Sequence, residues 1–223
     1  MSTGTKHTLT AFDDDMDEIR GLIAEMGARA ETAVVSALKA LSEHDEELST
    51  RIRTQDKIID SLEAEVERLV VRTIALRAPM ADDLRELIAA LKISAVIERI
   101  GDYAKNIAKR VPQMEGKIPP AATVQLGRMG DIVVEMIRTA MDAYAKSDID
   151  LARAVTVRDE TVDQLNKDLF VDFVAYVVKN PQNATEVAHL LFTAKNLERI
   201  GDHTTTVAQM IYFTETGENL PDA

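Results

Sequence analysis

Helix-breaking residues are scarce in this chain and fall at matched places, which confines its fold more than any motif does. Prolines stand at Pro79, in the run from Pro112 to Pro120, at Pro181 and in the tail at Pro221. Between those points apolar residues recur at helical spacing. Phe12, Met16, Ile19, Ile23, Met26, Ala30 and Val34 form one stripe and predict a helix from about Leu9 to Leu41. A short turn at His44 and Asp45 leads to a second helix, Glu46 to Arg77, striped by Ile52, Ile59, Leu62, Val66, Leu69 and Val70. It must stop near Pro79, whose ring lacks an N–H donor and crowds the preceding turn. Asp82 and Asp83 suit the first turn of a third helix running to about Val111, because carboxylates favour the positive end of the helix dipole. The stretch "PQMEGKIPP", Pro112 to Pro120, is the one segment dense in breakers. After it the plan repeats, with helices at about Ala121 to Lys146, Ile149 to Val178 and Ala184 to Phe213, and a frayed end from Thr214. Asn180 and Pro181 take the part of Pro79.

The halves also match in detail. "TQDKIIDSLEAEVERL" at Thr54 to Leu69 aligns with "VRDETVDQLNKDLFVD" at Val157 to Asp172, so Asp56 and Asp60 correspond to Asp159 and Asp163. "ERIGD" occurs at Glu98 to Asp102 and again at Glu198 to Asp202, 100 residues on. That period is too long for a solenoid unit and suits a duplicated three-helix module. The expected fold is all-α: two tandem three-helix bundles, over 1–112 and 121–214, with a linker at 113–120 and a flexible tail at 215–223.

Composition bounds the chemistry. Hydrophobic residues make up 46% of the 223, enough for a packed core, while the net charge of −12 excludes the basic footprint that nucleic acid requires. Cations and basic partner surfaces fit better. Without Cys, any metal must be held by carboxylates, amides or His, which suit hard or borderline cations. No apolar run approaches the roughly 20 residues of a membrane span, and Met1 to Asp15 lacks the apolar core of a signal peptide. The expected setting is soluble and cytoplasmic.

The repeated pentapeptide is the strongest functional signal. Successive helical residues advance by about 100°, so Glu98 and Asp102 sit about 40° apart on one face, and Asn106 adds an oxygen one turn further. Ile93, Val96, Ile97, Ile100, Ala104 and Ile107 take the opposite face, which packs inward and leaves the acids pointing outward. Acidic pairs at this spacing also occur at Asp13/Asp17, Asp14/Glu18, Glu43/Glu47 and Asp82/Glu86, and a lone pair of that kind is ordinarily a solvated face. Two features set the ERIGD pairs apart. Leu84, Ile88 and Leu91, with Ala184, Ala188 and Leu191 in the second half, make the same face apolar about two to four turns earlier. Like charges four residues apart also repel by a few tenths of a kcal/mol, roughly, so their presence in both halves calls for a compensating cation.

"ERIGDYAKNIAKR" and "LERIGDHTTTVA", with the early "HTLTAFDDDMDEIRGLIAEMG", resemble the PhoU family of regulators associated with bacterial phosphate uptake, from His7 to about Phe213. The resemblance implies two three-helix bundles related by an internal repeat, and acidic E(D)-x-x-x-D motifs that hold divalent or trivalent ions (Fe, Mn, Zn or Mg) on an exposed face. Matched residue by residue, the metal ligands it implies are Asp56, Asp60, Glu98, Asp102 and Asn106 in the first half, and Asp159, Asp163, Glu198 and Asp202 in the second. It further implies a non-enzymatic negative regulator, a homodimer, that couples the ATPase of a phosphate ABC transporter to a sensor histidine kinase. Thr206 departs from the pattern by standing where the first repeat has Asn106, which predicts weaker binding at the second face.

Other features carry less. Glu186 and His189 form an E-x-x-H pair, but a di-iron centre needs two such pairs and two further Glu, and Ala89 stands where His189 would repeat. His203 beside Asp202 could bind metal, but Tyr103 occupies the matched place, so its position there reads as incidental. Arg99 and Arg199 read as partners of nearby acids. Met16, Met26, Met129, Met136 and Met141 lie on helical stripes and read as core filling. No phosphate-cradling glycine loop or nucleophile–base pair is visible. The alternatives to the regulator are a carboxylate-bound metal enzyme, and a helical accessory or scaffold protein of another phosphate transporter.

Overall fold

The structure, a computed structural model, describes residues 4–114 and 120–220. Six helices follow one another: α1 (Gly4–Glu43), α2 (Glu46–Arg77), α3 (Asp82–Ala108), α4 (Pro120–Lys146), α5 (Ile149–Lys179) and α6 (Ala184–Thr216). Short 3-10 turns occupy Val111–Gln113 and Pro181–Asn183, and no strand occurs among the described residues. The fold is therefore the all-α pair of bundles that the periodicity predicts. The third helix ends at Ala108 rather than Val111, and the chain passes into the 3-10 turn that carries Pro112. The last helix runs past Phe213 to Thr216, where Gly217 at φ 75 closes it by donating its N–H to the Phe213 carbonyl. Most of the expected linker, residues 115–119, and the last three residues of the tail lie outside the described residues.

The repeat extends to the helix starts. Asp45 and Asp148 are the N-caps of α2 and α5: the Asp45 carboxylate accepts from the Leu48 N–H at 2.8 Å, and Asp148 from Asp150 and Leu151 at 2.9 and 3.0 Å. His44 and Ser147, just before them, both take positive φ to turn the chain.

Within each half the three helices pack on one another, and the halves join along two further seams, α3 on α6 and α1 on α4. One continuous apolar core results, running from Met16, Ile23 and Met26 through Ile93 and Ile100 to Met129, Met136, Leu197 and Ile200. The α3–α6 seam is antiparallel. Arg85 near the start of α3 reaches the Thr214 carbonyl near the end of α6, and Arg110 just beyond α3 lies 4.2 Å over the Phe192 ring. At mid-seam Tyr103 stacks on His203 with ring centroids 5.3 Å apart. The two ERIGD segments therefore meet at the crossing, each facing its own preceding helix.

The α1–α4 seam depends on two buried glycines. A Cβ on Gly27 would overlap Met141, and one on Gly130 would overlap Leu38. Gly21, in contrast, has open space around it. Gly27→Leu should therefore cost about 1–3 kcal/mol by overpacking, whereas Gly21→Ala should add about 0.5–1 kcal/mol through helix propensity. Urea denaturation midpoints of the two variants should move in opposite directions; equal shifts would mean that the seam is not close-packed.

Candidate metal centres

Each ERIGD glycine exists for a close approach. A Cβ on Gly101 would lie 2.9 Å from Ile59 Cδ1 and 3.7 Å from Asp56 Oδ1, and one on Gly201 would lie 2.6 Å from Asp159 Oδ1. The missing side chain lets α3 sit on α2, and α6 on α5, closely enough for an aspartate of the earlier helix to tuck under the later one. The acidic faces are consequently not the outward ladders that helical geometry alone predicts. Asp60 and Asp202 are exposed, but Asp56 is buried, and Glu98, Asp102, Asp159, Asp163 and Glu198 are half-buried in the groove between helices.

In the first half the groove already holds a cation. Lys105 Nζ donates to both Asp56 Oδ2 and Asp102 Oδ1, joining α2 to α3. Burial alone would lower the lysine's pKa, yet the hydrogen bonds to Asp102 and Asp56 outweigh it and hold the ammonium more firmly protonated than an ordinary lysine. Glu98, lacking such a partner, is pushed up to about 7 by burial first, then by Asp102 and Glu63. Asp60 is raised by burial and by Asp56. The Asn106 side-chain carbonyl accepts from Lys109 Nζ at 3.4 Å.

The second half is built differently. Asp163 on α5 and Glu198 and Asp202 on α6 each bring an oxygen within 4.8 Å of the others, and among the described residues this is the one group of three or more carboxylate or His side chains with that spacing. Beside it, Asp159 Oδ1, Glu198 Oε2 and Thr205 Oγ1 are buried without a hydrogen-bond partner. Asp159 is pushed up to about 6, by burial first and then by the Asp202 and Asp163 carboxylates. The nearby Thr205 hydroxyl opposes that rise without forming a well-aligned hydrogen bond. Asp202 is raised by burial and by Glu198. Lys195 reaches only Glu198 Oε1, from the solvent rim, and Thr206 donates back to its own helix at Asp202 O, 3.0 Å.

Carboxylates converging with orphaned oxygens are the donor set of a hard cation, and that set is present in the second half. It is not free in the first, where Lys105 satisfies two of the four carboxylates. Reading residue types missed Lys105, Lys195 and Thr205. The signal was available in the repeat itself: Lys105 aligns with Thr205, and Ala95 with Lys195. The E-x-x-H pair does not form a centre, since His189 Nδ1 lies 3.4 Å from Arg110 at the α3–α6 seam. His203, stacked on Tyr103, has its pKa lowered by burial and by Arg99 and Arg199.

Comparison with known proteins agrees with this duplicated architecture. The family model described as the PhoU domain matches twice, over residues 23–111 and 126–211. A phosphate-specific transport system accessory protein PhoU homolog of Zymomonas mobilis is 47% identical, over 97% of this chain and 91% of that protein. Its counterpart in Caulobacter vibrioides is 41% identical over 97% and 94%. Among solved structures, PhoU from Pseudomonas aeruginosa superimposes with a TM-score of 0.90 at 33% identity, covering 93% of this chain and all of that one. The phosphate transport system regulatory protein PhoU from Streptococcus pneumoniae gives 0.87 at 26%, covering 94% of this chain and 99% of that one. Two matched domains and near-complete coverage place this chain in the PhoU family.

Proposed function

We propose that the protein is an accessory and regulatory component of a phosphate transport system that acts by binding, as a metal-dependent negative regulator between the transporter and a sensor histidine kinase. The observation that supports the accessory role is the pair of PhoU domains spanning the chain, with relatives over 97% of its length named as phosphate-specific transport system accessory proteins. No described helix is long and apolar enough to cross a membrane, so a membrane transporter would have to be met from its surface. Exposed apolar side chains support such contacts: Phe170, Val171 and Phe192 line one open groove between α5 and α6. In the proposed assembly the protein is a homodimer that contacts the transporter ATPase.

Asp159, Asp163, Glu198 and Asp202 would hold the ion, which supplies a multivalent charge that cross-links α5 to α6. The protein's own residues prepare for it. Gly201 admits Asp159 beneath α6, and α5 and α6 bring the carboxylates near one another before an ion arrives. Iron, manganese, zinc and magnesium are the candidate ions.

At the level of the cell, deleting the gene should leave phosphate-starvation genes active in phosphate-rich medium. Unchanged expression of a starvation reporter would favour a scaffold role. At the level of the molecule, Asp159 has a folded pKa of about 6 against 3.8 for the free side chain, so the folded state holds the extra proton across that window. A raised carboxylate costs stability as pH climbs through it, because the unfolded chain ionises first. In metal-free protein, Asp159→Asn should therefore stabilise at pH 7.5 relative to pH 4, by on the order of 1 kcal/mol once solvent screening at this half-exposed carboxylate is allowed for. Addition of Mn2+ should reverse the sign, stabilising wild type at pH 7.5 and not the variant. Denaturation midpoints at the two pH values, with and without Mn2+, check both statements.

A further inference from the structure

The two acidic clusters are near copies in carboxylates and opposites in lysine placement. Lys105 Nζ lies inside the first cluster, with the Asp56 side chain 6% exposed on one side and Asp102 on the other. Its counterpart in the second repeat, Thr205, brings a hydroxyl and no charge, and the counterpart of Asp56 there, Asp159, leaves Oδ1 buried and unpartnered. Lys195, the lysine of the second cluster, is 50% exposed, touches only the outer oxygen of Glu198 and leaves Oε2 unpaired. One cluster thus contains its counter-ion, and the other lacks one at the same place.

We propose that Lys105 is a tethered counter-ion that fills the cation position of the first cluster and keeps metal out, so that metal enters the second cluster, where Thr205 leaves that position open. The inference rests on the metal-binding reading above and assigns it to one half of the molecule. An ion entering the first cluster would have to displace an ammonium hydrogen-bonded to two carboxylates, one of them almost fully buried, and then share the groove with that positive charge. An ion entering the second meets orphaned oxygens and displaces at most a rim lysine that can swing into water. The ranking expected from Asn106 and Thr206 is thereby reversed. Thr206 is occupied with its own helix and Asn106 with Lys109, so the deciding position is the one just before the third rung.

The test is titration of metal-free protein with Mn2+ by calorimetry, with the retained metal counted after desalting. Wild type should show one tight class of site, abolished in the Glu198→Gln, Asp202→Asn double variant and kept in Glu98→Gln, Asp102→Asn. Lys105→Thr, which installs the side chain of the other repeat, should add a second class at least 10-fold tighter than any first-cluster binding in wild type. Lys105→Arg keeps the charge and should not. The reciprocal Thr205→Lys should weaken the second cluster at least 10-fold, which provides a reading should Lys105→Thr fold poorly. Equal filling of both clusters in wild type, unchanged by Lys105→Thr and by Thr205→Lys, would overturn the inference while leaving metal binding intact. Absence of Mn2+ binding in wild type and every variant would overturn the metal reading itself, and this inference with it.

Discussion

A carboxylate drawn out of water between two helices must be neutralised by a proton, a cation or a hydrogen-bond donor, and the arrangement around both ERIGD segments follows from that requirement. The glycine of each motif creates the problem, because it lets an aspartate of the preceding helix slide beneath the following one. The first repeat solves it with a lysine, and Glu98, left outside that pairing, moves toward the protonated form instead. The second repeat has no internal cation, and two of its carboxylates are raised: Asp159 by burial and two neighbours, Asp202 by burial and Glu198. A cluster in that state is destabilised unless something positive arrives.

The bundle around the clusters makes this local choice consequential. The crossing of α3 and α6 sets Tyr103 of one motif against His203 of the other, with Arg199 also 5.8 Å over the Tyr103 ring. The core runs unbroken from one bundle to the other. A charge added at the second cluster therefore acts on a helix that is shared, through its opposite face, with the first.

Much of this was legible in the sequence, for physical reasons that differ between elements. Pro79, Pro112 and Pro181 remove donors wherever they stand, so helix ends could be placed to within a few residues. The helical stripes named much of the core, with Met16 and Met26 of α1 and Met129 and Met136 of α4 fully buried, while Met141 is only partly so. The carboxylates were identifiable because their repetition is exact in spacing. Their burial was not, because a helical wheel sees one helix at a time, and only the packing of α2 against the glycine of α3 reveals that Asp56 lies underneath. Several of the bland acidic pairs behave as solvated faces or surface ion pairs: Asp17 meets Arg20, while Asp13 and Asp14 are simply exposed.

Lys105 escaped notice for an instructive reason. A lysine three residues after an aspartate reads as a surface i,i+3 pair of small worth, and at several other places in this chain that is what the structure contains, as at Arg68 and Glu65 or Arg85 and Asp82. What separates Lys105 is its second partner on another helix, which no spacing rule within α3 can supply. The internal repeat does supply it. A duplicated module whose copies keep the same four carboxylates (Asp56, Asp60, Glu98 and Asp102 against Asp159, Asp163, Glu198 and Asp202) but exchange Lys for Thr at one place, and Ala for Lys at another, has kept the acidic face while redistributing the charge beside it. Two equivalent sites need no such exchange. The difference between the copies, more than their likeness, therefore carries the proposed division of labour: one half is held together by its own lysine, and the other, on that proposal, takes up a cation from outside.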